Sequence, residues 1–382
     1  MDLFQGAPEA MTEGDMKRCS RPMPRGLWVA LFLASFSLPA LSAMAGEAVR
    51  LAPAGKQPRL AVTREGLVAA VYGEGSRILC RVSKDGGASF GLATRVAEVD
   101  KLLLGMRRGP QVAAAESSLV VTAIGGAGDL LSWTSADEGR TWTGPTKVND
   151  SPTSAREGLH GLAGGVAGAV HVVWLDLRDG PTKVFGARSA DGGKTWGPNH
   201  AVYESPEKTV CECCQPTVAA DDSGGVAVMW RNLLAGSRDM FLARSSDCGR
   251  TFSGGQKLGT GTWPLEACPM DGGGVALSGG DVATVWRRED VVYAASPGKE
   301  EEPLGKGRNA VVAFGPRGVM RAWQGAGGDI VLAAAGSPPV SVGRGRFPAF
   351  GAMPGGGGPL LLAWEDPESG AMIRPVEARS PR

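Results

Sequence analysis

Four octets with one shared pattern decide the fold of this chain. They read SKDGGASF at residues 83–90, SADEGRTW at 135–142, SADGGKTW at 189–196 and SSDCGRTF at 245–252. Each octet carries an aspartate, and the steps between them are 52, 54 and 56 residues for Asp85, Asp137, Asp191 and Asp247. A period near 50 residues predicts an array of similar supersecondary units. Within each octet we expect the aspartate to accept turn amides and a glycine to take the left-handed conformation.

Short apolar strands surround these octets in a regular order. Two strands precede each octet, such as AVHVVW and KVFGARS before residue 189, and one more comes before each pair. The first strand of the pair carries a tryptophan at the same place in five units: Trp174, Trp230, Trp286, Trp323 and Trp364. Glycine is abundant, at 58 of 382 residues, which is typical of many tight turns. Short strands with glycine-rich turns at this spacing predict four-stranded blades around an axis.

The sequence therefore predicts an all-β propeller. Seven units can be counted from residue 58 onward, and six blades is the alternative if one degenerate unit is a linker. The last unit lacks a clear fourth strand. The segment EAVRLAP at residues 47–53 is a candidate for that strand and would close the ring.

Composition excludes some classes of function. Lysine and arginine total 40 against 39 aspartates and glutamates, a net charge of +1, so the basic excess of a nucleic-acid-binding protein is absent. The hydrophobic share of 43% argues against a disordered chain.

The N-terminus has the pattern of a signal peptide. Basic residues at positions 17–25 precede an apolar run at 27–40, and the small residues Ala43 and Ala45 follow it. We expect residues 1–45 to be removed, with an over-long start, and residues 46–382 to form a single propeller. The mature protein is then exported, to a periplasm or the exterior, with no membrane span. Its cysteines meet an oxidising environment there.

The four octets resemble the Asp-box, or BNR repeat, of the sialidase superfamily in its bacterial exported form. This resemblance implies a β-propeller with any ligand site at the axial mouth, but not hydrolysis by itself. Sialidases grip a carboxylate with three arginines, attack with a tyrosine assisted by a glutamate, and protonate with an aspartate. The family's first arginine corresponds here to Lys56, which lacks the bidentate fork. The set of catalytic residues is therefore not convincingly present, and enzymatic activity stays undecided.

Residues at the starts of the inner strands are expected to converge at the mouth. Four units present an arginine there, as Arg108, Arg156, Arg308 and Arg346. Convergent guanidinium groups suit an anionic ligand, although each could pair with a local carboxylate instead. Glu157 and Asp271 are the candidate acid/base residues of this region, and either could instead be a partner of Arg156 or Arg308.

A cysteine cluster enters the same region. Cys211, Cys213 and Cys214 begin one unit, and Cys268 begins the next at the equivalent place. Cys211 and Cys213 are expected two apart on a strand, where they face the same side while Cys214 faces the other. Export favours disulfides, with Cys268 bridged to one of the three. The alternative is a copper or zinc site completed by Met270 or His160, because thiolates and thioethers select soft metals.

Two functions of different class follow from these residues. In the first, the mouth binds, or binds and hydrolyses, an anionic glycan. In the second, the propeller is a non-enzymatic binding module whose cysteine-rich mouth is disulfide-stapled or holds a soft metal such as copper, or a protein partner. The sequence leaves the ligand and the oligomeric state open.

Overall fold

The structure, a computed structural model, describes residues 46–353, 356 and 358–377. These residues form 27 β-strands and one short 3-10 helix, Val166–Gly168. Within the described ranges, no helix has both the length and the hydropathy that a membrane crossing requires. The predicted signal peptide, residues 1–45, lies outside the described residues.

The strands form four-stranded antiparallel blades in chain order. The first strand, β1 (Val49–Ala52), belongs to the last blade. Blade 1 contains β2 (Lys56–Val62), β3 (Val68–Glu74), β4 (Arg77–Ser83) and β5 (Thr94–Glu98). Blade 2 contains β6 (Gln111–Ala115), β7 (Ser118–Ile124), β8 (Leu130–Ser135) and β9 (Thr143–Lys147).

Blade 3 contains β10 (His160–Gly164), β11 (Val170–Asp176), β12 (Lys183–Ser189) and β13 (His200–Tyr203). Blade 4 contains β14 (Thr217–Ala220), β15 (Val226–Arg231), β16 (Met240–Ser245) and β17 (Gln256–Lys257).

Blades 5 and 6 are joined in one seven-stranded sheet. Blade 5 begins with β18 (Gly274–Ser278), β19 (Asp281–Arg288) and β20 (Val291–Ala295). The long strand β21 (Glu302–Gly315) pairs with β20 through residues 302–306 and with the next strand through residues 307–315. Blade 6 continues with β22 (Gly318–Gly325), β23 (Asp329–Ala334) and β24 (Val340–Arg344). The joint falls at Gly307, where an added Cβ would lie 2.4 Å from the carbonyl oxygen of Gln324.

Blade 7 is completed by both ends of the described chain. It contains β25 (Arg346–Gly351), β26 (Leu360–Asp366), β27 (Gly370–Glu377) and β1. Strand β1 pairs antiparallel with β27, with Val49 opposite Ile373 and Ala52 opposite Ala371. The prediction that residues 47–53 close the ring is confirmed. The sheet pairings define seven blades, the number that the sequence favoured over six.

The first strand of each blade is its inner strand, and the seven inner strands form a closed ring. Each contacts the inner strands of both neighbouring blades, in the order β2, β6, β10, β14, β18, β21, β25 and back to β2. The ring surrounds an apolar cavity of about 210 Å³ at the ends of these strands. The repeated tryptophans of the second strands are all buried in the cores between blades.

The four octets form the turns between third and fourth strands. In each, the serine hydroxyl donates to the aspartate at 2.7–2.8 Å and accepts a glycine N–H at 2.8–2.9 Å. The aspartate also accepts the N–H four residues on at 2.9–3.0 Å. Hydrogen bonds from Ser89 and Ser83 hold the pKa of Asp85 well below its usual range. The carboxylates thus stabilise the turns.

The antiparallel order of each blade separates these turns from the starts of the inner strands. In blade 3, for example, the start of β10 lies beside the end of β11, with His160 opposite Trp174. The third strand then runs parallel to the inner one and ends at the opposite side of the ring, where the octet lies. We call the end where the inner strands begin the mouth.

Ring closure by β1 generates a prediction. Leu51 is 2% exposed and packs in the core shared by blades 1 and 7, so we expect Leu51→Ala to lower the free energy of unfolding by about 2–5 kcal/mol. Arg50→Ala is the control, because Arg50 is exposed on the same strand and its loss changes stability by roughly 0.5 kcal/mol or less. Equilibrium unfolding in urea measures both, and equal stabilities would contradict the closure.

Candidate functional site

An arginine from the start of blade 2 reaches across the mouth. Arg107 lies in the turn before β6 and is 5% exposed. Its Nε donates to Gln215 Oε1 at 3.0 Å, and its Nη1 donates to the carbonyl of Gly272 at 3.2 Å. Gln215 precedes β14 of blade 4, and Gly272 precedes β18 of blade 5. The mouth is therefore closed over the axis by a guanidinium group. Sequence analysis singled out Arg108, the next residue, and missed this role.

The guanidinium of Arg107 lies beside the carboxylate of Asp271. This carboxylate is completely buried, with Oδ1 3.9 Å from Arg107 Nη1 and Oδ2 2.9 Å from Arg287 Nε. Oδ2 also accepts the backbone N–H of Asn309 at 3.0 Å. The carbonyl of Asp271 accepts Arg231 Nε at 3.1 Å and Nη2 at 3.0 Å. We predicted Asp271 as an acid/base residue or an arginine partner, and its geometry is that of a partner.

The four predicted ligand-binding arginines do not converge as one group. Arg108 is 3.8 Å from the carboxylate of Glu157, the other candidate acid/base residue, and Arg108 Nε donates to the Glu157 carbonyl at 2.6 Å. Arg346 binds Glu365 at 2.6 Å, and Lys56 lies 3.4 Å from the same carboxylate.

The other two predicted arginines form no ion pair with a described carboxylate. Arg156 and Arg308 are exposed, and within the described part of the chain neither has a carboxylate partner.

No tyrosine is placed to act as a nucleophile at the axis. Tyr72 is 2% exposed in the core between blades 1 and 7. Tyr203 packs on Trp230 with ring centres 4.6 Å apart, and its hydroxyl accepts Asn232 Nδ2 at 3.1 Å. Tyr293 packs beside Trp286 at 6.4 Å. The three tyrosines of the chain thus serve packing in the blades.

Three cysteine thiols do converge at the mouth. Cys211, Cys213 and Cys214 lie in the turn before β14, and their Sγ atoms are all within 4.8 Å of one another. The separations are 3.4 Å for Cys211–Cys214, 3.6 Å for Cys211–Cys213 and 3.9 Å for Cys213–Cys214. The expectation that Cys214 faces away from the other two was wrong, because the segment is a turn and lacks strand alternation. We call this group the thiol cluster.

Positive charge surrounds the thiol cluster. Arg238 Nη1 donates to Cys211 Sγ at 3.0 Å, and Cys214 interacts electrostatically with Arg107, Arg231 and Arg287. Hydrogen bonds from the other two thiols, aided by Arg238, lower the pKa of Cys211. Burial raises the pKa of Cys214 to about 12. One thiolate is therefore favoured at Cys211 inside an electropositive pocket.

Neither Cys268 nor His160 joins the thiol cluster. Cys268 is exposed and unbridged, with Sγ 3.7 Å from Glu212 Oε1. Met270 is partly exposed in the same loop, with φ of 52°. His160 is 1% exposed and its Nε2 lies 3.0 Å from Thr122 Oγ1. Burial lowers the pKa of His160 to about 4, so the ring is neutral.

A sequence signal existed for two of the arginines that we missed. Arg231 and Arg287 each follow the repeated tryptophan of the second strand, as Trp230-Arg231 and Trp286-Arg287. That position lies at the mouth end of every blade, because the second strand runs towards the mouth. Arg238 had no such signal, since it lies in the loop between β15 and β16.

The geometry defines a seven-bladed Asp-box propeller, and comparison with known proteins supports it. A model of the BNR repeat-like domain matches residues 96–261. No curated protein matches the chain significantly. The BP39L lectin of Burkholderia pseudomallei is 10% identical with a TM-score of 0.62, covering 86% of this chain and 98% of its own.

Two further solved structures share the fold. Virginiamycin B lyase of Staphylococcus aureus is 11% identical with a TM-score of 0.51, covering 86% of this chain and 97% of its own. The α-L-arabinanase of Penicillium chrysogenum is 15% identical with a TM-score of 0.50, covering 85% and 94%. The chain thus contains a BNR repeat-like domain over residues 96–261, in agreement with its octets, and the solved structures share its propeller fold.

The buried carboxylate at the mouth generates a prediction. Asp271→Asn leaves Arg107 and Arg287 without their charge partner, and we expect it to lower the free energy of unfolding by about 3–5 kcal/mol. Glu157→Gln is the matched control at a partly exposed pair, with an expected loss of about 1 kcal/mol or less. Urea unfolding checks both. An Asp271→Asn variant as stable as Glu157→Gln would overturn the structural role of Asp271.

Proposed function

We propose that the protein is an exported, non-enzymatic binding module that holds a soft metal ion at the thiol cluster. The observation that carries this proposal is the convergence of three Sγ atoms within 4.8 Å of one another. The N-terminal pattern of residues 1–45 supports export.

The chemistry of the ligands favours copper(I), with zinc as the less suited ion. Thiolate sulfur is a soft donor that selects copper(I) or zinc. Structural zinc is almost always bound by four ligands, often in paired Cys-x-x-Cys spacings. Here three thiols occupy residues 211–214, and the fourth cysteine of the mouth, Cys268, is outside the group. Cys211, Cys213 and Cys214 would hold the metal.

The surrounding arginines assist such a site. Metal binding requires deprotonated thiols, and nearby cations favour the thiolate. Arg238 lies 3.0 Å from Cys211 Sγ, and it is itself held by Glu212, 3.6 Å from its Nη1. The Arg238 guanidinium therefore stabilises the thiolate of Cys211, which is the first of the three ligands to lose its proton.

A disulfide within the cluster is the competing reading. The Sγ atoms are 3.4–3.9 Å apart, against about 2.05 Å in a disulfide, so any two of them would need to approach. A disulfide bond would use two of the three thiols and leave the third cysteine unpaired. Export supports this reading, since oxidising compartments retain disulfides.

Native intact mass of the protein purified from its export compartment separates these readings. We expect one metal ion per chain in the native spectrum and, after acid denaturation releases the metal, the mass of a chain whose cluster thiols are all reduced. The triple variant Cys211→Ser, Cys213→Ser, Cys214→Ser is expected to lose the ion, while the control Cys268→Ser keeps it. We expect Arg238→Gln to weaken copper(I) binding by about 10–100-fold in competition with a chelator. A mass short of two hydrogens with no metal would refute the proposal.

A second candidate function, binding of an anionic glycan, rests on Arg156 and Arg308. Both are exposed at the mouth, with no carboxylate partner among the described residues. Of the proteins with this fold, one is a lectin and another an arabinanase seen with arabinobiose. Hydrolysis is less supported, because Asp271 is buried in ion pairs and the tyrosines pack in the blades.

A glycan array tests this second function. We expect wild-type protein to retain acidic glycans, and Arg156→Ala with Arg308→Ala to lose them, since a guanidinium is the natural partner of a carboxylate. Arg64→Ala is the control, because Arg64 is an exposed arginine already paired with Asp222. Equal retention by the double variant and the control, or no retention by any form, would exclude these arginines as the site.

A further inference from the structure

A second, smaller cavity lies on the axis just below the mouth. It has a volume of about 150 Å³, several times the roughly 30 Å³ that a water molecule occupies in the liquid. Its polar lining consists of Arg59, Arg107, Gln111, Gln215 and Thr217, and backbone and apolar side chains of the inner strands complete it.

Two buried guanidinium groups share this cavity. Arg59 is 9% exposed and Arg107 is 5% exposed. They repel each other electrostatically, and burial together with Arg107 lowers the pKa of Arg59 to about 9. The Arg59 value still lies above neutrality, and guanidinium groups stay protonated in proteins, so both groups carry charge at pH 7.

The protein supplies too little negative charge for them. Arg59 has no ion-pair partner among the described residues, and its Nε donates to the neutral Gln111 Oε1 at 3.0 Å. Arg107 is 3.9 Å from Asp271, but that carboxylate is shared with Arg287 at 2.9 Å. A buried charge without a counter-charge is strongly unfavourable. An anion inside the cavity would remove that cost.

Hydrogen-bond donors face the same space without protein partners. The two terminal nitrogens of Arg59 and Nη2 of Arg107 donate to no described residue. The hydroxyl of Thr217 is buried and unpartnered. The glutamine carboxamides are already engaged, with Gln215 Nε2 donating to the His160 carbonyl at 2.7 Å. Two charged donors and a hydroxyl are the groups that bind chloride, sulfate or phosphate.

We propose that this axial cavity binds one small inorganic anion between Arg59 and Arg107. The site is separate from the thiol cluster and does not depend on a metal there. Cys214 interacts electrostatically with Arg107, but it does not line the cavity, and Arg59 lies beyond its influence. The volume of about 150 Å³ favours a small inorganic anion over a large organic one.

Thermal unfolding at constant ionic strength tests this proposal. With chloride or sulfate in place of gluconate, a much larger organic anion, we expect the Tm of the wild type to rise by a few degrees, because a ligand of the native state stabilises it. Arg59→Met should show no rise, since it removes the unpaired charge. Arg64→Met, at an exposed arginine that is already paired with Asp222, should respond as the wild type does.

Two further measurements keep the test decisive. Calorimetric titration of wild-type protein with sulfate should give one site per chain, whether or not Arg59→Met folds. The triple cysteine-to-serine variant of the thiol cluster should retain the anion response, which separates this site from the metal proposal. Absence of any difference between gluconate and the small anions, or an equal response in Arg59→Met, would overturn the inference.

Discussion

The carboxylate of Asp271 and the guanidinium groups of Arg107 and Arg287 meet inside the mouth, where water does not screen their charge. Arg287 is 2.9 Å and Arg107 is 3.9 Å from this carboxylate. Because Arg107 precedes blade 2 while Asp271 and Arg287 belong to blade 5, the contact joins distant parts of the ring. Arg231 of blade 4 binds the carbonyl of the same aspartate. The shape of the mouth depends on this one buried ionic contact.

The thiol cluster owes its position to the same arrangement. Gln215, one residue after Cys214, is held by Arg107, and the N–H of Cys211 donates to the Arg231 carbonyl at 3.1 Å. The turn that carries the cysteines is thus fixed at both ends by residues bound to the arginine network. The backbone of this turn brings the three Sγ atoms within 4.8 Å of one another, and the positive charges of the surrounding arginines act on them. The contacts that fix this turn therefore also set the geometry of the candidate metal ligands.

The sequence predicted the fold well and the site only in part. The octet period and the repeated tryptophans depend on local turns and on burial, which a single chain displays directly, and they yielded the blades and the closing strand β1. The identity of the cysteine group was also predictable from Cys211, Cys213 and Cys214. Its geometry was not, because the segment was taken as a strand. The arginines were predictable only as alternatives: Arg108 and Arg346 pair with local carboxylates, as one alternative held, whereas Arg107, which was not singled out, crosses the axis. Such pairings depend on which loops meet in space.

Strand β21 makes the seam between blades 5 and 6 different from the other seams of the ring. Most neighbouring blades are connected by a loop, but the outer strand of blade 5 continues directly into the inner strand of blade 6 as β21, which pairs with β20 through residues 302–306 and with β22 through residues 307–315. Separating these two blades means breaking a strand, while other seams lose side-chain packing and individual hydrogen bonds, such as that from Thr94 Oγ1 to the Gly139 carbonyl. Local opening of native proteins follows the weakest cooperative units. Slow amide exchange should therefore spread without a break from β18 to β24, so that two blades behave as one unit of stability in a ring otherwise divided blade by blade.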